Sequence, residues 1–200
     1  MYRIHETDIA EIGLVLGDAF EHDPIWEYIL EGKTREQRGA WFQAPARYCF
    51  KYGGAYAPSP NIEGFIGYLP AEFSEMTFKR MLRAGTMRGT RKAGMQPVLR
   101  MSPLRIFDEY RKKHMKGKDF IYVMIVGIDP KLQRQGFGGK LIRHVISESD
   151  KSGLPIYLET STENNVSMYE HLGFNVIDKI MLPKLNLPQW VLLREPDHSK

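Results

Sequence analysis

The sequence contains a single cysteine, Cys49, and therefore forms no disulfide within the chain. Because no second cysteine shares a metal or redox motif with it, we expect Cys49 to be a small buried hydrophobic residue. No apolar run approaches the roughly 20 residues that a membrane-spanning helix needs, and the first residues lack the basic and apolar regions of a secretion signal. These absences predict a soluble, cytoplasmic protein with no metal site and no membrane contact.

The length and composition of the chain favour one domain. Its 200 residues, of which 42% are hydrophobic, are enough to bury a substantial core without disulfides or metal ions. We find no internal repeat, no low-complexity tract and no linker long enough to separate two domains. The sequence therefore predicts a single domain over residues 1–200.

Positive charge is concentrated in one segment of the chain. Residues 79–118 hold thirteen lysine or arginine residues and two acidic ones, a local net charge of +11, whereas the whole chain carries only +4. Such a segment is either a solvated helical face or a surface that attracts an anionic ligand. Because no regular alternation of aromatic and basic residues, no zinc spacing and no helix-turn-helix pattern accompanies it, we expect no nucleic-acid partner.

The order of apolar patterns predicts a mixed α/β fold. Helical spacing begins at Ile9, ends or is redirected at "HDPIW", and returns between residues 34 and 52; a strand hairpin follows up to Pro70. Residues 73–118 read as a mainly helical insertion. The continuous apolar run of residues 120–129 is typical of a central strand that is covered on both faces. After it we expect a helix over 138–149, a strand at "LPIYLET", a helix with its cap near Asn164 or Asn165, and two closing strands.

The loop "QRQGFGGK", between the central strand and the next helix, has the composition of an anion cradle. Its glycines let backbone N–H groups point toward an anion, and the helix that follows favours negative charge at its N-terminus. The loop is not a nucleotide-hydrolase phosphate loop, since Lys140 is followed by Leu141 instead of serine or threonine. It also lacks the Gly-x-Gly-x-x-Gly pattern of the dinucleotide-binding fingerprint. Alone, this loop is a weak signal.

Three motifs in a fixed order strengthen the prediction. The stretches "VGIDPKLQRQGFGGKLI", "YLET" and "NNVSMYEHLGF" resemble the GNAT superfamily of acetyl-coenzyme A dependent N-acetyltransferases. Together with "AFEHDP" near the start, they are most similar to the branch that contains puromycin N-acetyltransferase. The resemblance implies the GNAT acyltransferase fold, a central mixed sheet of six or seven strands flanked by helices. It also implies acetyl-CoA as co-substrate.

The resemblance also implies which residues bind the co-substrate. Backbone amides of the loop would hold its pyrophosphate, backbone groups of the central strand would pair with its pantetheine arm, and an asparagine would contact the far side of that arm. In this sequence the implied residues are Gln133, Arg134, Gln135, Gly136, Phe137, Gly138, Gly139 and Lys140 in the loop, Val126 and Ile128 in the strand, and Asn164 or Asn165.

Two side chains are candidates for the chemistry. By the resemblance, Tyr169 lies near the coenzyme sulfur, where its phenol can protonate the leaving thiolate. Many relatives place a carboxylate on the central strand to take the proton of the amine, but residues 120–128 contain none. We choose Glu159 for this role, with Asp119, Glu72, His114 or a chain of water molecules as alternatives.

The sequence therefore predicts an enzyme that moves acetyl from acetyl-CoA to a primary amine of a small molecule, by direct attack in a ternary complex. Two alternatives are a module that binds or senses coenzyme A without transferring acetyl, and an N-acetyltransferase that acts on proteins. A homodimer is compatible with the sequence, which identifies neither the acceptor nor the oligomeric state.

Overall fold

The apolar run of the central motif forms the middle strand of a seven-stranded sheet, in a computed structural model that describes residues 1–197. The strands are β1 (Tyr2–Arg3), β2 (Gly54–Ala57), β3 (Gly64–Pro70), β4 (Ile121–Ile128), β5 (Ile156–Thr160), β6 (Asn175–Leu182) and β7 (Leu187–Arg194). The helices are α1 (Ile9–Ala19), α2 (Pro24–Ile29), α3 (Arg35–Tyr52), α4 (Phe78–Arg83), α5 (Met87–Ala93), α6 (Gln96–Arg100), α7 (Arg105–Met115), α8 (Phe137–Ser152) and α9 (Glu163–His171).

The strand order in the sheet is β1-β2-β3-β4-β5-β7-β6, so β4 is the fourth of seven strands. Neighbouring strands are antiparallel except β4 and β5, which run parallel because α8 crosses over between them. The prediction of a mixed sheet with a strand-helix-strand unit at its centre is confirmed. So is the helical insertion before the central strand, because α4, α5, α6 and α7 all lie within residues 73–118.

Helix starts follow local capping chemistry, including two that the sequence analysis missed. The Thr34 side chain accepts the backbone N–H of Gln37, whose own side chain accepts that of Thr34, and this reciprocal pair starts α3. The segment "HDPIW" does not merely end α1: Asp23 caps a new helix, α2, that has proline in its first turn. The cap of α9 is Thr162, so the prediction of Asn164 or Asn165 as the cap was wrong.

The sheet separates two hydrophobic cores. The first core contains Leu16 and Phe42 of α1 and α3 together with Tyr157 of β5, and the second contains Leu141 of α8 and Leu158 of β5. Because side chains alternate along a strand, β5 contributes to both cores in turn. A functional side chain on β5 is therefore assigned to one face of the sheet by its position alone. Cys49 is fully buried in the first core, as expected.

Candidate active site

Strands β4 and β5 part from each other soon after they begin to pair. The structure pairs Ile121 with Ile156 and Tyr122 with Tyr157, and within residues 1–197 no later residue of β4 pairs with β5. Strand β4 continues along β3 to Ile128, while β5 continues along β7 to Thr160. A wedge therefore opens in the middle of the sheet, and the edge of β4 that faces it has no strand partner in the described chain.

A β-bulge lies on β4 where this wedge begins. Ile125 pairs with Gly67 of β3 and Val123 pairs with Tyr68. Met124, which lies between them, is therefore an extra residue without a partner on β3. Met124 and Ile125 consequently both contact the first core, and Val126 and Ile128 contact the second. Val126 and Ile128, two residues of the predicted co-substrate site, thus lie beyond the bulge, where the edge of β4 is free.

The glycine-rich loop lies at the end of the same strand. Gly136 caps α8 in the left-handed conformation, with φ of +85°, and Arg134 also has a positive φ of +63°. The first described hydrogen bond of the helix runs from the N–H of Lys140 to the carbonyl of Gly136, so the preceding amides have no acceptor within the helix. A Cβ built on Gly136 would meet no atom within 4 Å. These amides therefore lie at a helix N-terminus without an acceptor in the helix, which suits a bound anion.

The loop is attached to the sheet through two of its side chains. Lys140 Nζ donates to the carbonyl oxygen of Pro58 at 3.0 Å, and Gln133 Nε2 donates to the carbonyl oxygen of Ile128 at 3.4 Å. Gln133, Arg134, Gln135 and Gly136 are exposed, and Phe137, Gly138 and Gly139 are half-buried. The predicted loop residues are therefore contiguous with the wedge, but the Lys140 side chain is engaged by the protein itself.

Glu159 follows the last pair of β4 and β5 by two residues and has a buried side chain, 6% exposed. It lies on the same face of β5 as Tyr157, toward the first core. Arg111 Nη1 of α7 lies 3.6 Å from Glu159 Oε1, and neither atom has a hydrogen-bond partner among residues 1–197. The Tyr157 hydroxyl, also buried, is likewise unpaired in that range.

The environment of Glu159 shifts its proton affinity strongly. Burial raises the pKa of its carboxyl to about 7, although the charge of Arg111 and the hydroxyls of Tyr122 and Tyr157 act in the opposite direction. A carboxylate with this pKa accepts a proton near neutral pH, which is the property a general base requires. The sequence singled out Glu159 only by its position next to the point where the two strands were expected to part, and its role as the base stays a prediction.

Tyr169 lies on the other side of the sheet. Its side chain is buried in the second core, with its ring edge-on to Phe174 at 5.4 Å between centroids. Burial raises the pKa of the phenol, so that the hydroxyl stays protonated at neutral pH. The two predicted catalytic residues, Glu159 and Tyr169, therefore approach the sheet from opposite faces.

The two candidate asparagines at the start of α9 have different surroundings. Both residues are exposed, and the Asn165 side chain donates from Nδ2 to Thr160 Oγ1 of β5 at 3.1 Å, beside the wedge. Which of them contacts a ligand stays a prediction. The other candidate bases lie elsewhere: His114 bonds to Asp178 at 2.8 Å, and Asp119 and Glu72 are exposed.

Sequence reasoning missed Arg111 as a site residue, because it treated the basic segment as one unit. Most of its basic residues are exposed, but the Arg111 side chain is only 6% exposed and lies over the Tyr122 ring, with its Cζ 4.2 Å from the ring centroid. The only available signal was its spacing on α7, where it falls on the same face as Phe107, which packs against the first core. The segment is therefore partly a structural element of the site.

Metal binding and membrane insertion are two further properties on which the described residues bear. Among residues 1–197, no group of three or more histidine, cysteine, aspartate or glutamate side chains is arranged to hold a metal ion. In the same part of the chain, no helix has both the length and the apolar character needed to cross a membrane.

Comparison with known proteins agrees with this geometry. Residues 104–176 match the model of the acetyltransferase (GNAT) domain. An uncharacterised N-acetyltransferase of Schizosaccharomyces pombe is 28% identical over 208 residues, which span 98% of this chain and 83% of the relative.

Two solved structures share the fold over nearly the whole chain. One, a histone acetyltransferase HPA2 and related acetyltransferase from Corynebacterium glutamicum, aligns with a TM-score of 0.67 at 16% identity and covers 99% of this chain and 96% of its own. The other, arylalkylamine N-acetyltransferase 2 from Aedes aegypti, aligns with a TM-score of 0.64 at 10% identity and covers 98% and 97%. The predicted mixed α/β fold with a seven-stranded sheet is confirmed, since it matches the fold of solved acetyltransferases, and residues 104–176 are similar to the GNAT acetyltransferase domain.

Proposed function

We propose that this protein transfers an acetyl group from acetyl-CoA to a primary amine of a small molecule, by direct attack within a ternary complex. The observation that carries this proposal is the wedge between β4 and β5, which has Glu159 on one face and the open N-terminus of α8 at its edge. This arrangement provides an anion site, a slot for an extended ligand and a base in one continuous region.

The residues around the wedge fit acetyl-CoA, which when bound supplies an acetyl group activated as a thioester. The amides of residues 136–139 would hold the pyrophosphate, since they lie at the N-terminus of α8 and have no acceptor within the helix. The free edge of β4 at Val126 and Ile128 would bind the pantetheine arm as an added strand, and Asn164 or Asn165 would contact that arm from α9.

The reaction needs two proton transfers, and we assign each of them to one residue, on opposite faces of the sheet. The amine forms a bond to the acetyl carbon, the carbon–sulfur bond breaks, and the amine loses one proton while the sulfur gains one. Glu159 takes the proton of the amine, and Tyr169 donates its phenolic proton to the sulfur. The shifted pKa values of both side chains suit these roles, because at neutral pH Glu159 is partly ionised and Tyr169 keeps its proton.

The class of acceptor is supported by the structural relatives. The Aedes aegypti protein is named for arylalkylamines, and a Drosophila melanogaster polyamine N-acetyltransferase with the same fold is described as forming N-acetylagmatine. A small amine is therefore our leading acceptor. Membership of the puromycin-related branch, a cytoplasmic location and a homodimer remain predictions.

A panel of acceptors tests the function directly. Purified protein is mixed with acetyl-CoA and with arylalkylamines, polyamines, puromycin or peptides that have free N-termini, and both thiol release and the mass of the product are followed. We expect acceptor-dependent thiol release with a small amine, and initial-rate plots that intersect. Parallel plots would contradict direct attack. Acetylation of peptides alone would identify a protein N-acetyltransferase, and coenzyme binding without thiol release would identify a binding module.

Substitution of Gly138 tests the anion cradle. A Cβ at this position would meet nothing nearer than Ile128 Cγ1 at 3.8 Å, so the protein itself accommodates a side chain there. The Gly138→Val side chain would instead occupy the space that the phosphate needs, and we expect the affinity for acetyl-CoA to fall at least about tenfold, or roughly 1.4 kcal/mol. Calorimetric titration measures the change. Arg134→Ala, which retains the amide, should lose less, and unchanged affinity in a folded Gly138→Val protein would rule out the cradle.

A further inference from the structure

Arg111 is held rigidly beside the proposed base by three different contacts. Its Nη2 donates to the carbonyl oxygen of Ser74 at 3.1 Å and to the carboxylate of Asp108 one turn earlier on α7. Its guanidinium plane lies over the ring of Tyr122. Only arginine offers a flat group with several fixed donors, so this position suits arginine and not lysine.

The remaining donor of Arg111 faces Glu159 without closing a hydrogen bond. Nη1 lies 3.6 Å from Glu159 Oε1, close enough for strong attraction in a buried site but without a direct bond. Together with the Tyr157 hydroxyl, this makes three buried polar atoms that have no partner within residues 1–197. The attraction between the guanidinium and the carboxylate is therefore electrostatic and needs no direct hydrogen bond between them.

The charged and titratable groups around Glu159 come from three elements. Strand β4 supplies Tyr122, its own strand supplies Tyr157, and α7 supplies Arg111 and Asp108, while the residue paired with it on β7 is the apolar Val191. Of these neighbours, Arg111 is the cation that favours the carboxylate form of Glu159, whereas burial and Asp108 favour the protonated form. Without Arg111, the carboxyl would lose its main compensation for burial.

We propose that Arg111, contributed by the helical insertion, is a positioning residue that stabilises the carboxylate form of Glu159 and so sets the pH range in which the enzyme works. This inference rests on the proposed function, in which Glu159 is the base. The inference gives the helical insertion a role at the site that its overall basic charge does not suggest. The buried guanidinium of Arg111 acts on Glu159, whereas the exposed lysines of the insertion do not.

The pH dependence of kcat/KM in Arg111 variants tests the inference. In Arg111→Met, we expect the acid limb of the profile to move at least about one pH unit upward, so that activity near pH 6.5 falls roughly tenfold while activity near pH 9 stays within about threefold. Arg111→Lys, which keeps the charge, should move the limb less. Lys112→Met is the matched control, since Lys112 is the next residue on α7 and its side chain is 64% exposed. Its acid limb should stay in place.

Direct titration covers the case in which Arg111→Met does not fold. In protein labelled with ¹³C at the glutamate carboxyl carbons, the Glu159 resonance is assigned from its loss in Glu159→Gln, and its midpoint is compared between the parent and Arg111→Gln, which removes the charge but keeps a polar side chain. A higher midpoint in the glutamine variant supports the inference, and an equal midpoint overturns it. An unmoved acid limb in a folded Arg111→Met protein also overturns it. If Glu159→Gln itself keeps the parent profile, the assignment of the base fails instead, which separates the two proposals.

Discussion

Glu159→Gln is expected to lower kcat/KM by about 10²- to 10⁴-fold, because an amide of the same shape cannot take the proton of the attacking amine. Affinity for acetyl-CoA should change little, since the anion cradle and the free edge of β4 remain intact. Steady-state kinetics with a verified acceptor, together with calorimetric titration, measure the two quantities. A variant with near-parent turnover would exclude Glu159 as the base.

The interpretation requires a control for folding, because the substitution removes one of the two carboxylates beside the buried charge of Arg111 and leaves Asp108 as the other. Loss of one partner of a buried ion pair can cost about 3–5 kcal/mol of stability. Thermal denaturation of the variant should therefore accompany the kinetics, and the double variant Glu159→Gln/Arg111→Met removes both charges at once. Glu163→Gln, an exposed glutamate in the first turn of α9, is the matched single substitution and should retain parent activity.

The pH profile of the parent enzyme gives a second expectation for Glu159. A base must be ionised to act, so activity should fall as the pH drops through the Glu159 pKa of about 7. The acceptor also needs to be a free amine, which imposes its own pH dependence. Two acceptors whose amines differ in pKa separate the effects, because only the limb that belongs to Glu159 stays at the same pH with both.

Tyr169→Phe is expected to lower kcat by about 10²-fold while leaving coenzyme affinity within about twofold. Phenylalanine retains the ring that packs on Phe174 and removes only the hydroxyl that would protonate the leaving thiolate. Because a thiolate of pKa about 8.5 is already a fair leaving group, this effect is smaller than that expected for Glu159. Kinetics at saturating substrates, under conditions where chemistry limits the rate, measure it.

Tyr68→Phe provides a matched control in the same core. Tyr68 also packs against the second core, where its ring stacks on Tyr56, but it lies on β3 beyond the wedge. It should retain parent turnover. If Tyr169→Phe instead weakens coenzyme binding or stability and leaves turnover within twofold of the parent, the tyrosine has a packing role only.

The sequence predicted those parts of the fold whose signals are local. The apolar run of β4, the glycines after it and the periodicity of α8 each occupy a few adjacent residues, so their structures follow from their own composition. Helix α2 was missed although its signal was also local, since Asp23 followed by Pro24 is a helix start and not only a break.

The site itself depends on contacts between distant parts of the chain, which a single sequence does not encode in a readable pattern. Arg111 becomes buried because it meets Tyr122 of β4 and Glu159 of β5, and neither contact is visible from its basic neighbours. The shifted pKa of Glu159 likewise arises from packing. Spacing identified which residues are candidates, and only the tertiary structure showed which side chains share one buried environment.

The short pairing of β4 with β5 has a consequence for the stability of the whole protein. Four strands lie on one side of this seam and three on the other, and within residues 1–197 the only strand pairs that bridge it are Ile121–Ile156 and Tyr122–Tyr157. The seam is therefore where cooperativity between the two halves is weakest, and amides along its open length should exchange with solvent through local openings more readily than those in the flanking ladders. A ligand that binds along the seam would take the place of the absent strand pairing and contact both halves. Its binding would therefore raise the free energy of unfolding of the two halves together.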